Sequence, residues 1–238
     1  MKPLNKLIWI VCFALAMGYL ETSVVIYLRA IYYPGGFSFP LRPMAQSLAV
    51  TELYREAATM IMLLAVSTLA AKQWLHRFAW FLLVFAIWDI AYYVFLKILI
   101  GWPETLFTMD ILFLIPSLWT GPVLAPVVNS LTMILLATVI LYDRKGTVSA
   151  TRLSVLIWVL LITGSLIILY AYMKDYAVYV ADYKHSVLKS EISLNEFIAV
   201  LPARFIPGSF DWGLFCIGVF MHLTAVFLVV KGKCVIHS

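Results

Sequence analysis

The chain has 238 residues, of which 64% are hydrophobic and 12% are charged, and its mean hydropathy is +0.99. Polar residues are too few to cover a soluble globule, so the composition excludes a water-soluble domain and indicates an integral membrane protein. The formal net charge of +5 forms no basic stripe and comes with no nucleic-acid-binding motif, which excludes a DNA or RNA partner.

Several apolar runs have the roughly 20 residues that a helix needs to cross the bilayer. The alternating segments of about ten residues that outer-membrane barrels use are missing from the sequence. We therefore predict an all-α fold, a polytopic membrane helical bundle that forms a single domain. Its six spans are predicted at 7–33, 48–71, 78–100, 122–142, 153–172 and 212–230.

Proline and glycine mark the ends and the interruptions of these spans. The first span ends at Pro34-Gly35-Gly36 and the third ends before Gly101-Trp102-Pro103. The apolar run 108–142 is too long for one span and contains Pro116, Pro122 and Pro126, so we predict a short helix or re-entrant segment before the fourth span. Such a break persists at membrane depth only where protein or water satisfies the freed backbone groups.

The stretch after the fifth span carries two helical patterns. Tyrosines recur at helical spacing, which predicts that the fifth helix continues out of the bilayer; they are Tyr172, Tyr176, Tyr179 and Tyr183. Ser193 and Glu196 have the spacing of a capping box. It would open a short outer helix with Phe197, Ile198 and Leu201, which acts either as an interfacial anchor or as a lid, and the anchor is favoured.

The basic residues predict the orientation, because cytoplasmic loops carry an excess of Lys and Arg. With six spans, nine basic residues fall on one side: Lys2, Lys6, Lys72, Arg77, Arg144, Lys145, Arg152, Lys231 and Lys233. Both termini are therefore predicted to be cytoplasmic, in a prokaryotic inner membrane. Lys2, Lys6 and Ala14-Leu15-Ala16 also fit a cleaved signal peptide, but the apolar run resumes after Glu21, which favours a retained first span.

Cysteines and histidines do not form a recognisable site in the sequence. There is no CxxC pair, and His222 is the only histidine inside a span, which disfavours a disulfide framework, a thiolate zinc site and bis-histidine haem. We assign His222 to a hydrogen bond between packed helices. The HExxH, ExxH, P-loop and GxSxG patterns are also missing, and the sequence leaves any metal or cofactor unidentified.

The first turns of the second span carry Glu52, Arg55 and Glu56. A charged residue at the centre of a membrane helix costs about 2.5 to 3.5 kcal/mol on insertion scales, so such residues tend to be paired and to face the bundle interior. The spacing puts all three on one face of the helix. Arg55 is expected to hold one carboxylate bidentately, which leaves the other for a proton, a cation or a base.

Charged residues on two further helices reach the same depth. Asp89, Tyr93 and Lys97 step by four along the third span and line one stripe, while Glu21 and Arg29 lie in the outer half of the first. We predict that these helices converge on one polar site in the outer half of the bilayer. Its ligand-binding residues are predicted to be Glu21, Glu52, Arg55, Glu56, Asp89, Tyr93 and Lys97.

The loop before the fourth span offers a mouth for this site. Trp102, Glu104 and Asp110 lie there, and Asp110 would equally well cap a short helix. With four carboxylates against three bases in the predicted spans, at least one acid is expected to be protonated near neutral pH unless a cation binds. The structural alternative is that Arg29 and Lys97 snorkel to headgroups and that Glu52 with Arg55 only fixes helix packing.

Three classes of function follow from this pattern. In the first, the site binds or transports a small ligand, ion or proton. In the second, Asp89 or Glu56 is the catalytic general acid of an enzyme that acts on a lipid-soluble substrate. The segment Trp88-Asp89-Ile90-Ala91-Tyr92 resembles the aromatic-acid-tyrosine pattern of small polytopic terpene cyclases, over five residues and with Asp in place of Glu, which implies an isoprenoid-like substrate. In the third, the chain is a structural subunit of a homo-oligomer or a larger membrane complex.

Overall fold

A computed structural model describes residues 3–142, 153–186, 193 and 196–231. Within these ranges six helices are long and apolar enough to cross a membrane, and the fold is an all-α bundle, as predicted. The helices are α1 (Pro3–Tyr32), α2 (Gln46–Ala70), α3 (Trp74–Ile100), α4 (Leu124–Leu141), α5 (Val155–Ser186) and α6 (Trp212–Val230). The chain is therefore a multi-pass membrane protein.

The segment before α4 differs from the prediction. It forms an antiparallel hairpin of β1 (Met109–Phe113) and β2 (Trp119–Pro122), with Asp110 opposite Gly121. Of the two predicted alternatives, a short helix or a re-entrant segment, the short helix is wrong, and so is the helix cap weighed for Asp110. Pro116 lies between the strands, and the strands satisfy the backbone groups that a proline-broken helix would leave open.

Helix α3 is the centre of the bundle, since α1, α2 and α4 all pack against it, while α5 packs against α6. At Gly18 the backbones of α1 and α3 approach closely, because a Cβ there would lie 2.8 Å from the Cβ of Ala91. Thr22 adds a cross-helix bond, donating to the carbonyl of Tyr92 at 3.2 Å. Small residues and hydroxyls of this kind commonly join membrane helices.

The α5–α6 pair uses the same device. A Cβ on Gly218 would lie 2.7 Å from the carbonyl oxygen of Gly164. The Nε2 atom of His222 lies 3.2 Å from the carbonyl oxygen of Leu161 and 3.1 Å from the hydroxyl of Ser165. His222 thus joins α6 to α5, which agrees with its predicted role in helix packing.

Successive helices run in opposite directions, so their ends gather at two faces. Lys6 near the start of α1 donates to the carbonyl of Ala70 at the end of α2, at 2.7 Å. The connections 33–45 and 101–123 lie at the opposite end, together with the described residues 193 and 196–211, and we call this end the distal face. There Tyr176 of α5 packs with Leu118 of the hairpin and with Phe205.

Helix α5 continues to Ser186, as the tyrosine spacing predicts. The capping box is also present, because the Ser193 N–H and hydroxyl donate to Glu196 Oε2 and the Glu196 N–H donates to the Ser193 hydroxyl. It opens a short turn of helix at Glu196–Val200, followed by another at Pro202–Arg204. Phe197 packs against the buried ring of Tyr176, so this segment covers the distal end of α5.

Candidate functional site

A cavity of about 210 Å³ lies at the distal end of the bundle, among α1, α2, α3 and the hairpin. Residues of the 33–45 connection and of the 196–203 segment complete its wall. Five acids line it, from three helices and the hairpin: Glu21, Glu52, Glu56, Asp89 and Asp110. Arg29 and Arg55 also line it, and Arg42 is an exposed residue at its edge. The structure thus places acids of all three predicted helices in one cavity.

Arg55 joins two of these acids. Its Nε donates to Oε2 of Glu52 at 2.7 Å, one turn away on α2, and its Nη1 donates to Oε2 of Glu21 on α1 at 2.5 Å. The side chains are mostly enclosed, with 22% of Arg55, 10% of Glu52 and 13% of Glu21 exposed. Arg55 therefore holds two carboxylates through one nitrogen each, and the predicted bidentate grip on a single acid is not what forms.

A second ion pair is more deeply buried. Arg29 Nη2 donates to Oδ1 of Asp110 at 3.1 Å, and only 10% and 2% of these side chains are exposed. The guanidinium carbon of Arg29 lies 3.7 Å from the ring centroid of Trp102 and 4.5 Å from that of Phe37, a cation–π arrangement. Burial raises the pKa of the Asp110 carboxyl to about 6, against the lowering effect of the Arg29 charge.

Sequence reasoning did not find this pair. In the purely structural interpretation of the sequence, the Arg29 side chain reaches the lipid headgroups. Asp110 was predicted to lie at the mouth of the site or to cap a short helix. The two residues are 81 positions apart, and nothing in their local sequence links them. The one available signal was that each is a lone charge within a largely apolar stretch, which generally calls for a partner.

Glu56 and Asp89 are the two cavity acids that make no ion pair within the described part of the chain. Oε2 of Glu56 accepts the N–H of Leu114, next to β1, at 2.9 Å. Oδ2 of Asp89 accepts the hydroxyl of Ser130 on α4 at 2.8 Å. Each of these carboxylates is thus held by one neutral donor, and among the described residues neither is in direct contact with a cation.

Two other predicted site residues on α3 behave differently from each other. Tyr93 is 6% exposed and lines the cavity together with Asp89. Lys97 is exposed and does not line it, because its ammonium donates to the carbonyls of Gly101 at 3.0 Å and Pro103 at 2.7 Å. These bonds close the C-terminus of α3, where a cation is favourable.

The proposed mouth residues also separate. The ring of Trp102 stacks on the guanidinium of Arg29, which pairs with Asp110. Glu104 is exposed and does not line the cavity. The residues that close the distal side instead come from the 33–45 connection and from 196–203, and they include Phe37, Met44 and Phe197. The prediction gave the 33–45 connection no role, and for the short helix with Phe197 it favoured an interfacial anchor over a lid.

The rest of the wall is aromatic and contains unsatisfied polar atoms. Trp88, Tyr92 and Phe113 line the cavity. Within the described residues, Trp88 Nε1, Arg29 Nη1 and Asp110 Oδ2 are buried without a hydrogen-bond partner. Buried polar atoms of this kind normally find a partner, in protein or in ordered water.

Metal ligation has little support in this arrangement. Across residues 3–142, 153–186, 193 and 196–231, no three His, Cys, Asp or Glu side chains come together in a way that would hold a metal ion. Comparisons with protein-family models, curated proteins and solved structures find no match. Function must therefore be argued from the cavity.

Proposed function

We propose that this membrane protein binds, and exchanges across the distal face, a small ligand, ion or proton in the carboxylate-lined cavity. The observation that carries the proposal is that Glu56 and Asp89 share this cavity without an ion-pair partner in the described chain, while the other three acids are paired. Glu56 and Asp89 are the exchanging groups. Arg55 and Arg29 hold the paired acids in place.

The physical reason is the cost of an isolated charge at low dielectric. A buried carboxylate without a counter-ion persists only if it takes up a proton or pairs with a cation. The two unpaired acids therefore bind a positive charge whenever the cavity closes over them, and they release it when water enters. The acids that contact Arg55 or Arg29 already have a cationic partner and do not take part.

Carbodiimide modification tests this proposal, because a lipid-soluble carbodiimide adds to protonated carboxyl groups in apolar surroundings. We expect adducts at Glu56 or Asp89 when the purified protein is treated near neutral pH and mapped by mass spectrometry. We expect fewer adducts at Glu52 and Glu21, since Arg55 already occupies one carboxylate oxygen of each. The adduct yield is expected to fall as pH rises. If neither Glu56 nor Asp89 carries an adduct, the proposal is contradicted.

A catalytic role for the same acids is the second candidate. The observation that favours it is the aromatic wall beside Asp89, formed by Trp88, Tyr92 and Tyr93 on the same helix, because aromatic side chains line many apolar substrate cavities. Asp89 would then act as a general acid on a lipid-soluble, isoprenoid-like substrate. Incubation with a linear isoprenoid alcohol, followed by mass spectrometry, gives a new product that Asp89→Asn abolishes if this role is correct.

A further inference from the structure

The free oxygens of the two unpaired acids indicate what the cavity is built to hold. Glu56 and Asp89 each use one oxygen to accept a hydrogen bond, and the other oxygen of each has no partner in the described residues. Glu56 as a whole is only 7% exposed. The second oxygens of Glu56 and Asp89 nevertheless keep some accessible surface. Both residues line the cavity. Each therefore offers its interior a free carboxyl oxygen, which accepts a hydrogen bond when ionised and can donate one when protonated.

A bare metal ion does not fit this geometry. Calcium takes six to eight oxygen ligands and magnesium demands a near-octahedral shell, whereas the described residues contain no group of three acids, histidines or cysteines close enough to hold a metal. The space of about 210 Å³ also exceeds what an ion needs, since one water takes up roughly 30 Å³ in the liquid. An occupant that fills the cavity therefore has several non-hydrogen atoms.

The wall adds two further requirements. Trp88, Tyr92 and Tyr93 line the cavity on the same helix as Asp89, and aromatic faces attract organic cations that have lost their water. The indole N–H of Trp88 and Nη1 of Arg29 are buried donors without an acceptor among the described residues. An oxygen atom on the occupant would satisfy such a donor, which hydrocarbon would not.

We propose that the occupant is a small organic cation, an amine or quaternary ammonium compound that also carries a hydroxyl or carbonyl oxygen. The ammonium group lies in the cavity that Glu56 and Asp89 line, near the aromatic rings beside Asp89, and the oxygen accepts from Trp88 or Arg29. This inference rests on the proposed function, because it names the class of ligand that the exchanging acids bind.

Thermal unfolding of the purified full-length protein in detergent tests the inference without knowledge of the natural ligand. The probes are choline, ethanolamine and tetramethylammonium as chloride salts, with sodium chloride at equal ionic strength. A further control is the neutral alcohol in which carbon replaces the nitrogen of choline, because it has the same shape without the charge. At about 100 times its Kd, a ligand that binds only the folded protein raises the midpoint by about 5 °C or more.

We expect at least one organic cation to produce this shift, and the neutral alcohol and sodium to produce none. Glu56→Gln and Asp89→Asn lose the shift, while Glu104→Gln, the same chemical change at an exposed position outside the cavity, keeps it. If a cavity variant does not fold, as judged by size-exclusion chromatography, the comparison of choline with its neutral isostere on the unmodified protein still decides the question.

The outcomes separate this inference from the function on which it rests. If sodium or protons stabilise the protein through Glu56 and Asp89 and none of the organic cations does, the organic-cation inference is overturned and the proposed function stands. If the neutral alcohol stabilises as well as choline, the charge is irrelevant and the inference is again overturned. If neither a cation nor a change of pH acts through these two residues, both are overturned.

Discussion

At the scale of single residues, the cavity separates its acids into two classes. Glu21, Glu52 and Asp110 have an arginine within hydrogen-bonding distance, whereas Glu56 and Asp89 accept from a neutral donor and form no ion pair in the described part of the chain. A hydrogen bond from a guanidinium fixes the position of the carboxylate that accepts it. The paired acids therefore act as fixed parts of the wall, and the unpaired acids are the ones whose state depends on the occupant.

Arg55 is the residue on which the fixed part depends most. Arg55→Gln leaves Glu21 and Glu52 as adjacent uncompensated charges in a largely buried position, and breaking a buried pair in this way typically costs about 3 to 5 kcal/mol. We expect the free energy of unfolding in mixed micelles to fall by an amount near this range. The measurement is a denaturation curve in sodium dodecyl sulfate.

Lys174→Gln is the matched control, because it also breaks an ion pair, with Asp211 at 2.6 Å, but there 41% and 30% of the two side chains are exposed. Solvent screens exposed pairs, which therefore contribute little to stability. Equal losses for the two variants would contradict the distinction between the buried and the exposed pair.

Asp110 gives the protein a pH dependence that has a defined sign. Burial raises the pKa of this carboxyl to about 6 from its ordinary value of 3.8, so the folded chain holds a proton that the unfolded chain has already released. The contribution of Asp110 to stability is therefore complete below the ordinary pKa, declines as pH rises through about 6, and is constant above that. Asn at this position does not titrate.

We accordingly expect the stability of the unmodified protein relative to Asp110→Asn to fall between pH 4 and pH 7, from the principle of linked proton binding. Unfolding midpoints of both proteins, measured across that range, check it. A difference that stays constant, or that grows with pH, would show that Arg29 outweighs the effect of burial.

The residues that the sequence could identify are those with a local pattern. Glu52, Arg55 and Glu56 stand together in an apolar run, and Asp89 with Tyr93 follow a four-residue step, so their common faces were predictable. The partners were not. Pairing of Arg55 with Glu21, and of Arg29 with Asp110, depends on which helices become neighbours, which hydropathy and periodicity do not encode.

At the scale of elements, the hairpin is where sequence reasoning failed, and the reason is the apolar surroundings. Strands are recognised by alternation of polar and apolar residues, but β1 has the sequence MDILF and β2 has WTGP, with no such alternation. The prolines were correctly read as incompatible with a helix, but they do not specify what replaces it. The capping box succeeded because its two residues specify their own bonds.

The contact between α1 and α3 sets the width of the cavity, because these helices carry Glu21 and Asp89. A side chain at Gly18 would press a Cβ to within 2.8 Å of Ala91 and 3.0 Å of the carbonyl of Trp88. We expect Gly18→Val to separate the helices and to destabilise the protein by about 1 to 3 kcal/mol, as overpacking typically does. Unfolding in mixed micelles gives the loss.

The control for this variant is Gly35→Val, which adds the same side chain where a Cβ meets nothing within 4 Å. It is expected to leave the stability nearly unchanged. If Gly18→Val is tolerated as well as Gly35→Val, the close approach of α1 and α3 is not needed for the fold.

At the scale of the whole molecule, the largest apolar cluster and the acidic cavity lie towards opposite ends of the bundle. The largest buried apolar cluster, which includes Leu75, Leu136 and Val229, gathers where α3 begins and where α4 and α6 end. The cavity lies at the distal end of the same bundle. Close packing at one end therefore holds together the helices whose other ends carry the acids. This arrangement would allow the site to open without loss of the fold.

Which side of the membrane the cavity faces is a prediction from the charges alone. Lys72 lies at the end opposite the distal face and belongs to the basic set that the positive-inside rule places in the cytoplasm, whereas the exposed residue Glu104 belongs to the distal connections. In a background in which Cys12, Cys216 and Cys234 are serine, we expect Glu104→Cys to react with a membrane-impermeant maleimide in spheroplasts. Lys72→Cys is expected to react only after permeabilisation. The reverse result would place the cavity towards the cytoplasm, and equal reactivity before permeabilisation would mean that α3 does not cross the bilayer between these two positions.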